Sequence, residues 1–312
     1  MQRRLQPLLH TRHLPIFMRG LPRRAGSWRR ENKTPSRATV PPTVRDRIRG
    51  KLRREAKRLQ LNAGHAIRGK RVVDYGWIRL PYTADGDWQE IDYHLNQRPW
   101  RDKTRTLFGS LLYPGATAID VGANIGFVSA IMSSLVGEAG RVVALEPSSR
   151  TYDKLLNTLS VNDLKNVIPL KMGCGRVRTS LSLHDVTGSS GNASILGEGP
   201  ILDTISVVPL DDISEVWETH VALIKIDTEG FEPEVLEGGR RLISEFRPII
   251  YLEMGGDYPE STRRSLEVLK ELGYDTRAVD AVDWSTIGNG SDFFFFPEGL
   301  PGPSAVHEPG AN

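Results

Sequence analysis

From residue 116 onward, short runs of β-branched and apolar residues alternate with longer stretches that repeat apolar residues at helical spacing. Such runs are typical of strands, and the stretches that follow most of them are typical of helices. The predicted strands are 116–121, 141–145, 167–172, 221–227 and 248–254, and the predicted helices are 125–135, 149–159, 231–246 and 260–272. This alternation predicts an α/β fold, in which helices cover both faces of a mostly parallel sheet.

The ends of this region carry different patterns. The apolar runs at 274–282 and 291–296 flank the turn-rich segment 284–290, so they predict an antiparallel hairpin at one sheet edge. The segment 187–200 is rich in Gly, Ser and Asn and is predicted to be a mobile loop. We expect the fold to span residues 71–300, with a β-rich entry at 71–93, and residues 301–312 to form a disordered tail.

Charge divides the chain of 312 residues into two unlike parts. Residues 1–71 hold 21 basic and 3 acidic side chains, whereas the remainder holds 20 basic and 35 acidic ones. The chain's pI near 9.0 therefore comes from its N-terminal part. A basic pI alone does not indicate nucleic-acid binding here, because the acidic remainder repels phosphate.

Residues 1–42 are rich in Arg and Pro, and we expect them to form a disordered basic arm. Three interpretations remain open: a mitochondrial transit peptide, a basic tether to a membrane surface or nucleic acid, or an extension without function. Residues 43–70 repeat apolar residues every three or four positions and predict a basic amphipathic helix. Such a helix packs on the acidic body or lies on an anionic membrane surface.

Cysteine content and hydropathy indicate the compartment. Cys174 is the only cysteine, so the chain forms no internal disulfide, and no stretch has the length of apolar residues that a membrane span needs. The first thirty residues lack the apolar core of a secretory signal. We therefore expect a cytoplasmic protein, or a mitochondrial one if the source is eukaryotic.

The strongest chemical signal is a glycine loop between the first predicted strand and its helix. Gly122 and Gly126 stand four residues apart, a spacing that differs from the dinucleotide-binding pattern. Without Cβ atoms, both positions allow a ligand to approach the backbone. Asp120 lies just before the loop, where it favours a ligand that carries positive charge. A purely structural glycine turn is the alternative.

A second signal ends the next predicted strand. Glu146 follows the run 142–145, and a carboxylate there can accept hydrogen bonds from both hydroxyls of a ribose. The alternative role is to cap the helix that starts near Ser148. The glycine loop and the carboxylate together favour a nucleoside-containing ligand.

These residues resemble class I S-adenosylmethionine-dependent methyltransferases, and the region 75–297 more closely resembles the FkbM family. The resemblance rests on DVGANIGF at 120–127, Glu146-Pro147, GNAS at 191–194, PLDD at 209–212 and IKIDTEGFEPEVLEG at 224–238. It implies a Rossmann-like fold with a seven-stranded sheet and an antiparallel edge hairpin. Phe231 is a departure, since the family more often has Tyr or His there.

The resemblance also implies a set of residues that bind S-adenosylmethionine. The loop with Asn124 would hold the amino-acid end, with Asp120 near the ammonium or sulfonium, and Glu146 would hold the ribose. Gly173 and Cys174 would lie at the adenine. The alternative is that Cys174 is an ordinary buried thiol without a role in binding.

Carboxylates near the fourth predicted strand are the candidates for catalysis. An alcohol acceptor must lose its proton during methyl transfer, and Asp227, Glu229 and Glu253 are the candidate bases, with His184 as an outsider. Lys225 shares a strand face with Asp227, and an ion pair with Asp120 or Asp227 is favoured over catalysis. The three carboxylates also suit Mg²⁺, but no metal is predicted, and the scattered histidines exclude zinc.

The leading functional hypothesis is O-methylation of a hydroxyl on a sugar, polyketide or similar metabolite, so the expected partner is a small-molecule or glycan acceptor. One alternative is an RNA methyltransferase tethered by the basic arm, although few aromatic residues accompany the arm's charges and the acidic body weighs against nucleic acid. Another is a cofactor-binding module without catalysis, and the complete loop and Glu146 weigh against it.

Overall fold

The computed structural model describes residues 72–74, 78–81, 98–185, 193–197, 199–254, 258–276, 291–299 and 307–308. All of them lie within one compact unit, Arg53–Asn312. The predicted arm at 1–42, the predicted helix at 43–70 and the predicted turn at 284–290 lie outside the described residues. Within these ranges, no helix has the length and apolar character needed to span a membrane.

The described strands form three sheets. They are β1 (Val72–Asp74), β2 (Arg79–Pro81), β3 (Thr117–Val121), β4 (Arg141–Leu145), β5 (Val167–Leu170), β6 (Gly173–Cys174), β7 (Thr179–Asp185), β8 (Ala193–Ser194), β9 (Ile201–Val208), β10 (Val221–Ile226), β11 (Ile249–Met254), β12 (Tyr274–Asp275), β13 (Ser291–Pro297) and β14 (His307–Glu308).

Six α-helices accompany them in the described part of the chain. They are α1 (Arg98–Leu111), α2 (Phe127–Val136), α3 (Ser149–Val161), α4 (Glu232–Gly238), α5 (Arg240–Phe246) and α6 (Pro259–Glu271). The sequence analysis did not predict α1. It also predicted one helix over 231–246, but the structure has two, which meet at Gly239. The chain is tightly packed there, because a Cβ on Gly238 would come within 2.0 Å of the Gly175 carbonyl oxygen.

The main sheet has the order β12-β13-β11-β10-β3-β4-β5, with β14 beside β13. Strands β5, β4, β3, β10 and β11 are parallel, whereas β13 pairs antiparallel with β11 and with β12. The predicted mostly parallel sheet with an antiparallel edge is confirmed, and β14 adds an eighth strand to the seven that were predicted. The chain runs outward from β3 to β5 and then returns to β10 on the other side of β3. The switch point therefore lies between β3 and β10, where such sheets bind ligands at the carboxyl ends of their strands.

Successive side chains of each strand point to opposite faces of this sheet, so a hydrophobic core lies on each face. Ile119, Ile224 and Ile226 pack in one core, whereas Ala118 and Leu223 pack in the other. Strand β13 shows the same division, because its phenylalanines at 293 and 295 enter the first core and those at 294 and 296 the second. A strand buried on both faces explains the continuous aromatic run at this position.

A second sheet, with the order β6-β9-β7-β8, was not predicted. The predicted third strand ends at Leu170, and Gly173–Cys174 then pairs with β9 instead. Ala193–Ser194 pairs with β7, so these two residues are ordered within the segment predicted to be a mobile loop. The small size of β6 and β8 explains why no run of apolar residues indicated them.

The predicted disordered tail also needs a correction at two positions. His307 and Glu308 pair antiparallel with Phe293 and Asp292, respectively. Backbone pairing with the exposed side of an edge strand does not require an apolar sequence, so the tail's composition gave no sign of it.

Candidate active site

The glycine loop follows β3 at the switch point. Gly122 has a φ of 77°, and its N–H donates to the Leu145 carbonyl over 3.0 Å. A Cβ on Gly122 would lie 1.8 Å from the Asp227 carbonyl oxygen, and one on Gly126 would lie 2.6 Å from Leu155. Two roles were predicted for these glycines, the close approach of a ligand or a purely structural turn. The protein's own neighbours exclude a side chain at both positions, which favours the structural role, and contact of the glycines with the cofactor stays a prediction.

Asn124 lies within this loop in the left-handed region, with a φ of 51°. Its N–H donates to Glu146 Oε2 over 2.9 Å. Its side-chain Oδ1 is buried and has no hydrogen-bond partner among the described residues. A buried acceptor of this kind fits a ligand that brings a donor, such as the ammonium of an amino acid.

Glu146 ends β4 beside this loop and is buried. Its second carboxylate oxygen accepts from the Ser148 N–H over 2.9 Å, and Ser148 in turn is the N-cap of α3. Burial raises the pKa of Glu146 to about 7, against the hydrogen bonds from Ser148 and Asn124 and the charge of Lys225. Glu146 thus both supports the helix start and holds the loop, and each oxygen keeps a lone pair for a ligand.

A buried ion-pair network joins β3 and β10. Lys225 Nζ lies 3.2 Å from Asp120 Oδ1 and 3.3 Å from Asp227 Oδ2, and it donates to the Gly122 carbonyl over 2.6 Å. Burial lowers the pKa of Lys225, but the charges of Asp120 and Asp227 outweigh burial and leave this pKa above its usual value. The predicted ion pair of Lys225 is confirmed.

The contact of Asp120 with a cofactor ammonium or sulfonium stays a prediction. The Asp120 side chain is fully buried, and its Oδ2 accepts from Ser129 Oγ over 2.5 Å. Asp120 forms an ion pair with Lys225 through Oδ1, which has no hydrogen-bond partner among the described residues. It positions Lys225, and through Lys225 the loop at Gly122.

The three candidate bases lie together at the carboxyl ends of β10 and β11. Asp227, Glu229 and Glu253 each offer a carboxylate oxygen, and these oxygens all lie within 4.8 Å of one another. The Asp227 side chain is 39% exposed, so it can meet a substrate. This spacing could also hold an oxygen-preferring divalent cation.

The pKa values of Glu253 and Asp227 shift in opposite directions. The charge of Asp227 raises the pKa of Glu253 well above its usual value, and burial, a hydrogen bond to Asp227 and the charges of Asp292 and Glu229 add to this. Burial raises the pKa of Asp227, but Lys225 and the hydrogen bond from Glu253 outweigh burial and lower it. This coupling favours the proton on Glu253, as the hydrogen-bond donor, and the ionised form of Asp227.

Glu232, which the sequence analysis did not select, holds the loop that presents Glu229. Its Oε1 accepts from the backbone N–H groups of Thr228 and Gly230, over 2.9 and 3.1 Å, and from Thr228 Oγ1. Its Oε2 accepts from Ser261 Oγ over 2.7 Å. An acidic residue in the first turn of a predicted helix was the available signal.

The remaining predicted residues lie apart from this cluster. Cys174 is buried in the core, which raises the pKa of its thiol, so it behaves as an apolar residue. Gly173 lies beside Pro147, since a Cβ there would be 3.7 Å from the proline ring. His184 lies in β7 with Nδ1 2.9 Å from the Gly199 carbonyl, outside the carboxylate cluster. The assignment of Gly173 and Cys174 to adenine stays a prediction.

The parallel sheet, the switch point and the glycine loop with a carboxylate on the next strand define a class I methyltransferase-like protein. The model of the methyltransferase FkbM domain matches residues 120–276, which is half of the chain. The chain therefore belongs to the FkbM methyltransferase family. This membership confirms the predicted family and, with it, S-adenosylmethionine as the cofactor, which the buried acceptor of Asn124 and the carboxylate of Glu146 fit.

The similarity of this chain to solved structures is weaker than its match to the family model. An FkbM methyltransferase from Methylobacillus flagellatus KT is 25% identical, over 52% of this chain and 39% of that chain, with a TM-score of 0.39. A SAM-dependent methyltransferase from Aquifex aeolicus is 20% identical, over 56% and 79% of the chains, with a TM-score of 0.35. Fibrillarin from Aeropyrum pernix, with natively bound S-adenosyl-L-methionine, is 15% identical, over 55% and 65%, also with a TM-score of 0.35. No curated protein matches the chain.

Proposed function

We propose that this protein methylates a hydroxyl oxygen of a small-molecule acceptor, with S-adenosylmethionine as the donor. The observation that carries the proposal is the ionised, partly exposed Asp227 at the switch point, in a cluster with Glu229 and Glu253. When bound, the cofactor supplies an electrophilic methyl group on a sulfonium. The protein's task is to position the acceptor oxygen in line with that methyl group and to take the proton that the oxygen loses.

The cofactor would lie along the ends of β3 and β4. The Oδ1 of Asn124 and the free lone pairs of Glu146 are the acceptors that would face its ammonium and its ribose. Lys225 holds the Gly122 carbonyl and so fixes the loop between them.

Proton removal would fall to Asp227. Its carboxylate would take the proton of the acceptor hydroxyl as that oxygen receives the methyl group that the bound cofactor would supply. Glu253, whose pKa the charge of Asp227 raises well above its usual value, would be the hydrogen-bond donor to Asp227. A positioned base of this kind contributes about 10²–10⁴-fold to the rate.

The test measures S-adenosylhomocysteine release against a panel of hydroxyl-bearing metabolites, together with calorimetric binding of S-adenosylmethionine. Asp227→Asn keeps the side-chain shape but cannot take a proton, so turnover should fall about 10²–10⁴-fold with cofactor affinity changed less than about threefold. The Glu229→Gln variant tests whether the Glu229 carboxylate also takes the acceptor proton.

Asp153→Asn, an exposed position on α3, is the matched control and should leave turnover unchanged. Unchanged turnover in both Asp227→Asn and Glu229→Gln would show that the proton leaves by another route. Failure of the wild-type protein to bind S-adenosylmethionine would overturn the proposed function itself.

A further inference from the structure

A cavity of about 590 Å³ opens beside the loop that follows β10. One wall comes from the second sheet, with Leu181 on β7 and Val207 on β9. The opposite wall comes from the starts of α4 and α6, with Phe231 and Tyr258. A volume of this size matches a small-molecule site.

The cavity adjoins the carboxylate cluster through the backbone. Gly230 and Phe231, which line it, directly follow Glu229 in the chain. Ser194 Oγ donates to the Glu229 carbonyl over 2.9 Å, and the next two residues, Ile195 and Leu196, line the cavity. An occupant of the cavity would therefore contact the same loop that presents the candidate base.

The lining is largely apolar, and part of it is open to water. Val177 is 61% exposed and Leu196 is 54% exposed, and both lie at the cavity. Leu181, Ile195 and Phe231 are half-buried beside them. Apolar side chains that converge on a cavity gain free energy when an apolar ligand removes them from water, at about 25 cal/mol for each Å². A free sugar, which has hydroxyls around its whole ring, would leave that gain unused.

Several charged residues line the cavity. Only one of the cations among them has no ion-pair partner within the described residues. Arg264 lies 2.8 Å from Glu234, and Glu260 lies 2.6 Å from Arg263. Arg176 also lines the cavity and forms no ion pair within 4.0 Å with a described carboxylate, although its charge adds to the Arg240 hydrogen bond in lowering the pKa of Glu237. A guanidinium in that position favours an anionic group on the occupant.

We infer that this cavity binds the methyl acceptor, and that the acceptor has an apolar carbon skeleton, an anionic group for Arg176 and the hydroxyl that is methylated. The inference rests on the proposed function and narrows it, from hydroxyl metabolites in general to apolar, acidic ones. The apolar skeleton packs against Leu196 and Phe231, and its hydroxyl end extends past Gly230 toward Asp227.

Two fluorescent probes test the apolar and the anionic contributions separately. 8-Anilinonaphthalene-1-sulfonate is an apolar anion, and N-phenyl-1-naphthylamine has the same rings without the sulfonate. Leu196→Ser should raise the Kd of both probes about fivefold, because it removes apolar contact area that either ring system would use. Arg176→Gln should raise the Kd of the sulfonate about fivefold or more and leave that of the neutral probe unchanged.

Matched controls come from the same sheet region. Leu202 is 48% exposed and Arg178 pairs with Asp212 at 3.2 Å, and neither lines the cavity. Leu202→Ser and Arg178→Gln should leave the Kd of both probes unchanged. Equal weakening by the control and the cavity variants would overturn the inference, and so would displacement of the probes by methyl glucoside.

The cofactor is measured in the same variants, which separates the two proposals. Leu196→Ser and Arg176→Gln should bind S-adenosylmethionine with wild-type affinity, because neither residue belongs to the cofactor loop. If the cofactor binds but the probes show no cavity dependence, the cavity inference fails and the proposed function stands. If the wild-type protein does not bind the cofactor, the proposed function fails, and with it the acceptor role of the cavity.

Discussion

At the scale of single residues, Glu146 shows how one carboxylate serves structure and binding together. It accepts backbone N–H groups from Asn124 and from Ser148, so it joins the glycine loop to the start of α3. Both interactions favour the ionised form, which burial disfavours. The protein keeps this costly charge at the place where a ribose would bind.

Affinity for S-adenosylmethionine should therefore depend on pH. The pKa of Glu146 is raised to about 7, so the ionised form that accepts hydrogen bonds predominates above pH 7 and is lost below it. Calorimetry should show an affinity that rises with pH through about 7 and becomes constant about one pH unit higher. Glu146→Gln cannot titrate and should bind more weakly without this pH dependence. A pH-dependent affinity of the same form in the variant would assign the titration to another group.

Gly122 makes a second residue-scale prediction. Alanine there would adopt a left-handed backbone at a cost of about 1–2 kcal/mol, and its Cβ would also clash with the Asp227 carbonyl. Gly115 is the matched control, because its φ is 90° and no neighbouring atom lies within 4 Å of the position that a Cβ would take. In urea unfolding, Gly122→Ala should lose about 1–3 kcal/mol more than Gly115→Ala. Equal losses would mean that the neighbouring loop moves aside.

At the scale of elements, the connection between β10 and α4 depends on a carboxylate from the helix. Glu229 has a φ of 54° and Gly230 a φ of 99°, so two successive residues adopt the left-handed region. The hydrogen bonds of Glu232 to the backbone of Thr228 and Gly230 hold this shape. Strain of this kind persists only where the surroundings enforce it.

Removal of that carboxylate should reduce turnover more than cofactor binding. Glu232→Ala leaves two backbone N–H groups and the Ser261 hydroxyl without their acceptor, so Glu229 loses its fixed position. We expect kcat to fall at least tenfold with the KM for S-adenosylmethionine nearly unchanged, and Glu232→Gln to restore much of kcat because it keeps an acceptor oxygen. Glu245→Ala, an exposed position on α5, is the control. A glutamine variant as impaired as the alanine variant would contradict the positioning role.

At the scale of the whole molecule, the acidic part contains the recognisable chemistry, and the basic N-terminal part lies outside the family match. The cofactor loop, the carboxylate cluster and the cavity all lie within the unit Arg53–Asn312. Methyl transfer should therefore not require the first 52 residues.

A variant without residues 1–52 should bind S-adenosylmethionine with an affinity within about twofold of the full chain and keep its turnover with a small acidic acceptor. Filter binding should show that any RNA affinity of the full chain falls steeply with salt and is lost in the variant, since it would come from the basic side chains. If the truncation abolishes turnover but not cofactor binding, the acceptor is bound through the arm, as the alternative of a tethered RNA methyltransferase requires.

Much of the main sheet was predictable because its strands and helices carry strong local patterns. The parallel strands from β3 to β11 and the edge strand β13 follow from apolar runs, and the loop at Gly122 and the carboxylate at Glu146 follow from their places at strand ends. In the second sheet, β6 and β8 were not predictable, since they have two residues each and depend on partners distant in the chain. Helix α1 was not predicted either, because no pattern in the sequence indicated a helix there.

The sequence by itself determined which residues stand at the ends of the strands, because strand periodicity and glycine spacing are local properties. Only the tertiary structure decided what those residues do. It showed that Asp120 pairs with Lys225, that the Asp227 carbonyl excludes a side chain at Gly122, and that the charge of Asp227 raises the pKa of Glu253 beside it. The physical reason is that charge, burial and close packing depend on neighbours brought together from distant strands. No window along the chain contains them.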